Sequence, residues 1–305
     1  MESSSTVNTP SHEAEGHPSV LPAQLLAFAE QNVGQVHEAV DCSWPRENSR
    51  VWKITAGRLA RTWYLKQHPT VTFHAREMHA YARWTTALGP GRAPELHAAS
   101  PALTAVILTT LPGINPHHHE LSTEDEREIH RQLGQLLHSL HHCEPQRPPT
   151  FHNPPLDQLL RRFDTAGPHL TPGDANLIQY MASRLAALTP LPGVPTHGDV
   201  QLRNTLWNPE TGVLGLIDYE RAEYGPACRD LIRLEYGPWN GRPDLKAAFF
   251  SGFGRALTSL EADHLRAMTT LDALSGIAFG TGAGDEEVIT RGQRTLQRLH
   301  QETGL

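Results

Sequence analysis

The chain has 305 residues, of which 38% are hydrophobic and 19% are charged, a composition typical of a globular protein with a sizeable core. Its net charge of −7 argues against nucleic acid as a partner, because phosphate neutralisation requires a basic surface. The sequence contains no apolar run of the roughly 20 residues that a spanning helix needs, so we expect no membrane partner.

The N-terminal segment, residues 1–20, is polar and lacks the basic start and apolar core of a signal peptide, so we expect a flexible tail. The chain has three cysteines without CxxC spacing, which favours reduced thiols and a cytoplasmic location. No feature of the sequence implies an obligate protein partner.

Residues 21–110 have the pattern of a small sheet with a helix laid across it. Helical spacing and Gly-Pro endings predict helices over residues 22–33 and 74–87. Alternation and turn signals predict strands within residues 51–55, 59–66, 94–100 and 103–113. This part of the chain is therefore predicted to be an N-terminal lobe.

From residue 111 to residue 305 the pattern is mainly helical. A long helix begins at Ser122, with acidic residues in its first turn and Ser/Thr caps at its start. Only the segment 196–218 interrupts the helical half. The overall expectation is an α+β fold with a larger helical C-terminal lobe. Further helices are predicted at residues 155–165, 172–188, 243–256, 259–280 and 284–300.

The interrupting segment contains the strongest chemical signal. It reads "THGDVQLRNTLW", then "NPETG", then "VLGLID", which predicts two short strands around a turn. Such a hairpin brings its open ends, Asn204 and Asp218, together, with Asp199 just upstream. Mg2+ prefers carboxylate and amide oxygens, so Asn204 and Asp218 are candidate metal ligands. Asp199 is then free to accept a proton from a hydroxyl group.

Phosphoryl transfer also needs a cation on the phosphates that are not transferred. A lysine on a strand of the small sheet, steadied by an acid from the neighbouring helix, would supply it. Lys66, one of only three lysines in the chain, and Glu77 on the helix that follows form such a pair. Together with the hairpin, they predict a phosphotransferase.

The same residues carry a resemblance to a known family. The chain resembles the aminoglycoside phosphotransferases, relatives of choline kinase with a protein-kinase-like fold. The family's "HGDxxxxN" stands here as "HGDVQLRN", and its "IDW/FE" stands as "IDYE". Leu140-His141 matches the family's "LH", and "GPACRDL" supplies its acid as Asp230. The likeness spans about residues 35–300, and the ordered set of motifs is specific.

The resemblance implies a bilobal fold, ATP or GTP as co-substrate, Mg2+ as cofactor, and a hydroxylated small molecule as acceptor. It implies Asp199 as the catalytic base, with Asn204 and Asp218 as metal ligands and Lys66 with Glu77 on the nucleotide side. The interlobe hinge that binds the purine would be the segment from Leu108 to Leu111, which includes Thr110. The phosphate-covering loop at residues 42–50 has no glycine, so Ser49 is a candidate donor there.

The sequence allows three alternatives. Histidines at 117–119 and 138–142 suggest zinc, but no further ligands have zinc-like spacing. A protein kinase is disfavoured because only six residues separate Asp218 from "GPACRDL", too few for an activation segment. For a catalytically inactive, nucleotide-binding relative, the glycine-free loop is the best support. The presence of Asp199, Asn204, Asp218 and Lys66 is the evidence against it.

The charges of the C-terminal part bear on the acceptor. Residues 231–305 contain nine acidic and eight basic side chains, which is close to neutral. A site for a polycationic acceptor should instead carry excess carboxylate. We therefore expect a neutral hydroxylated metabolite or a less basic antibiotic, such as a nucleoside or a sugar-decorated one, ahead of an aminoglycoside.

Overall fold

The computed structural model describes residues 17–43, 49–148 and 156–304. The chain forms two compact units, the first made of Met1–Leu121 and Leu202–Glu220, and the second of Ser122–Gln201 and Arg221–Leu305. The sequence-based boundary at residue 110 differs from this division. The residues just after it join the first unit because Ile114 pairs with Trp207 in the central hairpin.

The first unit contains a six-stranded antiparallel sheet in the order β1-β2-β3-β4-β6-β5. The first strand lies within the segment predicted to be a flexible tail, and it pairs with Val40 and Asp41. Residues 1–16 of that tail lie outside the described part. The strands are β1 (His17–Pro18), β2 (Val36–Asp41), β3 (Arg50–Ala56), β4 (Arg61–Gln67), β5 (Leu96–Ser100) and β6 (Ala105–Thr109).

Two helices of the first unit position its site. Helix α1 (Ala23–Val33) packs on one face of the sheet in a core that includes Leu65 of β4. Because side chains alternate along a strand, the next residue, Lys66, points to the other face. Helix α2 (Val71–Arg83) begins three residues before the prediction because the Thr70 side chain caps it by accepting from the Phe73 N–H.

The predicted hairpin is confirmed within the first unit. Strands β8 (Thr205–Asn208) and β9 (Val213–Leu216) pair antiparallel, with Thr205 opposite Leu216. The Asn204 carbonyl accepts a hydrogen bond of 2.9 Å from the Ile217 N–H, which extends the pairing by one step. Asn204 and the residues after Leu216 therefore lie side by side at the open end.

The second unit is mainly helical, as predicted, with Ser122 capping its first helix. Its two short strands, β7 (Val194–Thr196) and β10 (Glu223–Gly225), pair antiparallel and were not predicted. None of the described helices has the length and apolar character needed to cross a membrane. The helices are α3 (Thr123–His141), α4 (Leu156–Ala166), α5 (Pro172–Ala187), α6 (Ile232–Glu235), α7 (Pro243–Phe253), α8 (Ser259–Ala283) and α9 (Glu286–Thr303).

The core of the second unit forms where α4, α5, α8 and α9 meet, around Leu177, Leu274 and Leu296, all fully buried. Helices α3 and α7 pack closely elsewhere in the unit. A Cβ at Gly252 of α7 would lie 1.8 Å from the Arg131 carbonyl oxygen, so only glycine permits this approach.

Candidate active site

Lys66, near the end of β4, lies among three carboxylates of the first unit. Its Nζ is 2.7 Å from Asp218 Oδ1, 2.8 Å from Glu77 Oε2 and 3.1 Å from Glu220 Oε2. The Lys66 side chain is 7% exposed and the Glu77 side chain is fully buried. The structure therefore brings together three residues predicted from the sequence, Lys66, Glu77 and Asp218, and adds Glu220.

The groups of this cluster keep one another charged in spite of burial. Burial alone would lower the pKa of the Lys66 ammonium, but Asp218, Glu77 and Glu220 raise that pKa well above its ordinary value. Burial alone would likewise raise the pKa of the Glu77 carboxyl. The charge of Lys66 and a hydrogen bond from His68 outweigh burial, and the pKa of Glu77 falls below its ordinary value.

His68 is a member of the cluster that sequence reasoning missed. Its Nε2 contacts Glu77 Oε2, and its Nδ1 lies 2.9 Å from the Thr104 carbonyl oxygen. The residue is buried. The signal that could have found it is its position two residues after Lys66, because a period of two points both side chains toward the helix that carries Glu77.

Asp218 has an unusual backbone for a residue other than glycine. Its φ is +69°, in the left-handed region, and such strain is found mostly at functional sites. The next residue, Tyr219, donates its N–H to Glu77 Oε1 at 3.2 Å. The Tyr219 ring is buried and packs edge-on against Tyr81 at 5.3 Å. Glu77 thus anchors both Lys66 and the backbone next to Asp218.

Asn204 and Asp218, the predicted metal ligands, offer an amide and a carboxylate oxygen at the open end of the hairpin. Asn204 is buried, whereas the Asp218 side chain is 34% exposed. This set of hard oxygen donors fits Mg2+.

His68, Glu77 and Glu220 also place three potential ligand atoms within 4.8 Å of one another. The ammonium of Lys66 already contacts both of these carboxylates. A metal ion there would meet a fixed positive charge at close range, so these residues suit the lysine better than a metal.

The predicted hinge residues lie at the end of strand β6 and directly after it. Leu108 is buried within β6, while Thr110 and Leu111 come directly after that strand. Thr110 is exposed. The backbone of these two residues has left the β-ladder, which is the condition for pairing with a ligand.

Ser49 lies directly before β3 and is buried. Its hydroxyl donates to Glu220 Oε2, which ties the end of the glycine-free loop to the Lys66 cluster. Residues 44–48 of that loop lie outside the described residues.

The second unit contains a buried network around Asp230. Asp230 Oδ2 accepts from His141 Nε2 at 2.9 Å and from the His197 N–H at 3.0 Å, and Oδ1 accepts from the Gly198 N–H at 2.7 Å. Burial alone would raise the pKa of Asp230, but the hydrogen bond and charge of His141, with help from His197 and Gly198, lower it. This network fixes the backbone immediately before Asp199.

Asp199 itself is buried. Its Oδ1 accepts from Gln201 Nε2 at 2.6 Å, and its N–H donates to His197 Nδ1 at 3.3 Å. His197 therefore braces the loop, as an acceptor at Nδ1. Arg233 of α6 lies near Asp199. The charge of Asp272 is the main cause that raises the pKa of Arg233, burial acts to lower it, and the charge of Asp199 also raises it.

The histidines that suggested zinc make other contacts. His138 Nδ1 lies 3.0 Å from the Phe253 carbonyl oxygen, and the His138 and His142 rings stack with centroids 4.3 Å apart. In the described part of the chain, the one grouping of three potential metal ligands contains neither of them.

The chain belongs to the phosphotransferase enzyme family, whose model matches residues 41–274. The matched range contains the Lys66 cluster and the Asp230 network. A search of curated protein sequences gave no significant match.

Several solved structures share the fold. A spectinomycin phosphotransferase in complex with ADP and spectinomycin is 14% identical, with a TM-score of 0.64 and 92% of each chain covered. The gentamicin complex of APH(2")-IIa is 15% identical, with a TM-score of 0.66 over 92% of this chain and 97% of that one. A macrolide 2'-phosphotransferase type I is 16% identical, with a TM-score of 0.59 over 91% and 98%. These likenesses confirm the α+β, kinase-like fold.

Proposed function

We propose that this protein is an Mg2+-dependent small-molecule kinase, which transfers the γ-phosphate of ATP or GTP to a hydroxyl group of an antibiotic or a hydroxylated metabolite. The observation that carries the proposal is the buried contact of Lys66 with Glu77 and Asp218 in a chain of this family. An ammonium fixed in this way is what phosphoryl transfer requires on the nucleotide side. Similar structures were solved with ADP or GDP and an antibiotic, which supports the same chemistry.

Each residue has one role in the proposed reaction. Asp199 takes the proton of the acceptor hydroxyl as its oxygen attacks the γ-phosphorus, and the bond from that phosphorus to the nucleoside diphosphate breaks. Lys66 holds the phosphates that are not transferred. Asn204 and Asp218 would hold Mg2+, which supplies charge neutralisation to the phosphates when bound.

The purine would pair with backbone groups of Thr110 and Leu111, which follow β6, and Ser49 would contribute beside the phosphates. For the acceptor, we propose a neutral or weakly basic molecule. The near-neutral charge of residues 231–305 supports this, and so does Arg233, a cation whose pKa responds to Asp199.

The proposal is tested by a screen of ATP and GTP consumption against hydroxylated antibiotics and metabolites, with mass spectrometry to detect the phosphorylated product. With an acceptor found, Asp199→Asn should lower turnover by at least about a thousandfold while binding of the Mg-nucleotide persists in calorimetry. Asp263→Asn serves as the control, because Asp263 of α8 is a partly exposed carboxylate that pairs with Arg266 and has no role in the proposed reaction.

Asp218→Asn should instead lose binding of the Mg-nucleotide itself, because it removes the carboxylate proposed to hold the metal. Equal loss of nucleotide binding in the Asp199 and Asp218 variants would contradict the assigned roles. Nucleotide binding without consumption against any acceptor would favour the inactive, nucleotide-binding alternative.

A further inference from the structure

The Lys66 cluster has more negative than positive charge if Lys66 is its only cation. Glu77, Asp218 and Glu220 all contact the same ammonium. Three carboxylates around one ammonium leave two negative charges uncompensated in a largely buried place. That excess would also repel an incoming nucleotide, since its phosphates are negative.

His68 has the geometry of a second cation. Its Nδ1 lies 2.9 Å from the Thr104 carbonyl oxygen, which can only accept, so Nδ1 must carry a proton. Its Nε2 contacts Glu77 Oε2. A neutral imidazole has a single N–H, so it cannot donate to both partners when Glu77 is ionised.

The other contacts of Glu77 are those of an ionised carboxylate. Its Oε2 also accepts from Lys66 Nζ at 2.8 Å, and its Oε1 accepts from the Tyr219 N–H at 3.2 Å. Every one of these partners is a donor. The pKa of Glu77, lowered by Lys66 and His68 against the effect of burial, agrees with this geometry.

We infer that His68 is a positioning residue for the nucleotide-side cation: a protonated imidazole that shares Glu77 with Lys66. It contacts the same Glu77 oxygen as Lys66, Oε2, so that Lys66 can engage phosphates without leaving Glu77 unpaired. This inference rests on the proposed function.

The surroundings of His68 place the second charge on this ring and not on its neighbour. Helix α2 contributes Glu77 and His74, β4 contributes Lys66, and Asp218 and Glu220 lie beyond the ammonium. The His74 ring meets the His68 ring edge-on at 5.4 Å. Burial and the charge of His68 lower the pKa of His74, so His74 stays neutral.

The backbone fixes the His68 ring in place. The His68 N–H donates to the Thr104 carbonyl, and the Thr104 hydroxyl donates to the His68 carbonyl at 2.8 Å. Thr104 has a φ of +47°, in the left-handed region, so a strained residue presents this carbonyl to the ring. These contacts fix the orientation of the His68 ring between Thr104 and Glu77.

The protonation state can be read directly from the intact protein, without turnover. A 15N–1H spectrum of histidine-labelled protein at neutral pH should show one ring with protons on both nitrogen atoms and nuclear Overhauser effects to the Thr104 methyl group. A proton on only one nitrogen of that ring would overturn the inference, whether or not the enzyme phosphorylates anything.

The positioning role is tested with His68→Gln, which keeps a donor toward Glu77 and removes the charge. Binding of MgADP and MgGDP to the intact protein and to this variant is measured by calorimetry at neutral pH. His68→Gln should bind at least about tenfold more weakly than the intact protein, because a charged hydrogen bond to Glu77 is lost.

His74→Gln is the matched control, a change at a buried histidine whose ring meets His68 edge-on, and it should keep the nucleotide affinity of the intact protein. Equal nucleotide affinity in His68→Gln and the intact protein would overturn the role. If neither nucleotide binds the intact protein, the proposed function fails while the spectrum still decides the state of His68.

Discussion

Glu77 in the first unit and Asp230 in the second are both buried carboxylates whose pKa lies below the ordinary value, but different kinds of partner keep them ionised. Glu77 is held mainly by side chains, Lys66 and His68, with one backbone N–H. Asp230 is held by two backbone N–H groups and by His141. Burial opposes the charge in both cases, and the partners overcome it.

The difference separates two tasks. Side-chain cations around Glu77 can exchange one anion for another, so that cluster suits a ligand that brings phosphates. Backbone donors cannot leave, so the Asp230 network suits the fixing of a loop, here the segment that leads into Asp199. We therefore expect a substitution at Glu77 to act on nucleotide binding, and one at Asp230 to act on the geometry of the loop.

The largest effect should come from Glu77→Gln. It removes the charge that Lys66 and His68 share, so nucleotide affinity should fall about a hundredfold or more. The free energy of unfolding should fall by about 3 kcal/mol, because two cations lose a buried partner. Calorimetry with MgADP and urea denaturation measure both quantities. Glu38→Gln, a change at an exposed residue of β2, is the control. Unchanged nucleotide affinity in Glu77→Gln would contradict the role of Glu77 in nucleotide binding.

Asp230→Asn should give the second largest effect, of a different kind. An amide has one acceptor oxygen where the carboxylate has two, so at least one buried N–H of His197 or Gly198 loses its partner. We expect a loss of about 2 kcal/mol in the free energy of unfolding and a lower kcat, since the Asp199 backbone is no longer fixed. Nucleotide KM should change little. A drop in nucleotide affinity as large as that of Glu77→Gln would show that the two networks do not have separate tasks.

The acid limb of the stability curve should sharpen the comparison. A carboxyl whose pKa is lower in the folded than in the unfolded protein contributes stability above the unfolded pKa, which is about 4, and loses it as the pH falls through the folded pKa. Glu77 and Asp230 both shift in this direction. The free energy of unfolding should therefore decline below about pH 4, measured by urea denaturation from neutral to acid pH.

In the Asp230→Asn variant, the free energy of unfolding should decline less steeply with falling pH than in the intact protein, because the Asp230 carboxyl no longer takes up a proton. Its difference from the intact protein should shrink as the pH falls. A difference that stays constant down to the acid limit would mean that Asp230 is not the titrating group.

The sequence predicted the parts of the site that have a repeating or paired pattern. The strand that carries Lys66, the helix that carries Glu77 and the hairpin that ends at Asp218 were all recognised from alternation, helical spacing and turn residues. Because these three elements meet in the fold, the side chains of Glu77 and Asp218 contact Lys66 in the structure. The roles of Asp199 and Asn204 remain predictions.

The features that were missed are short or solitary. Strands β1, β7 and β10 have two or three residues each, too few for any periodicity to show. Their pairing is set by tertiary contacts, as when His17 meets Asp41. For His68, strand alternation from Lys66 indicates only the face of the sheet, and its partners, Glu77 and Thr104, lie 9 and 36 residues away in the sequence.

The smallest expected effect concerns Ser49, at the edge of the Glu77 cluster. Its hydroxyl donates to Glu220, which in turn lies 3.1 Å from Lys66. Ser49→Ala should lower the free energy of unfolding by about 1 kcal/mol and raise nucleotide KM only about twofold, because Lys66 keeps its two closer carboxylates.

Ser183→Ala is a suitable control in the second unit, since the Ser183 hydroxyl is exposed and bonds only within α5. That variant should match the intact protein in both stability and nucleotide KM. If Ser49→Ala shifted nucleotide KM as strongly as Glu77→Gln, Glu220 and not Glu77 would be the main anchor of the ammonium. The task assigned to Glu77 would then belong to Glu220, held in place by Ser49 of the loop that precedes β3.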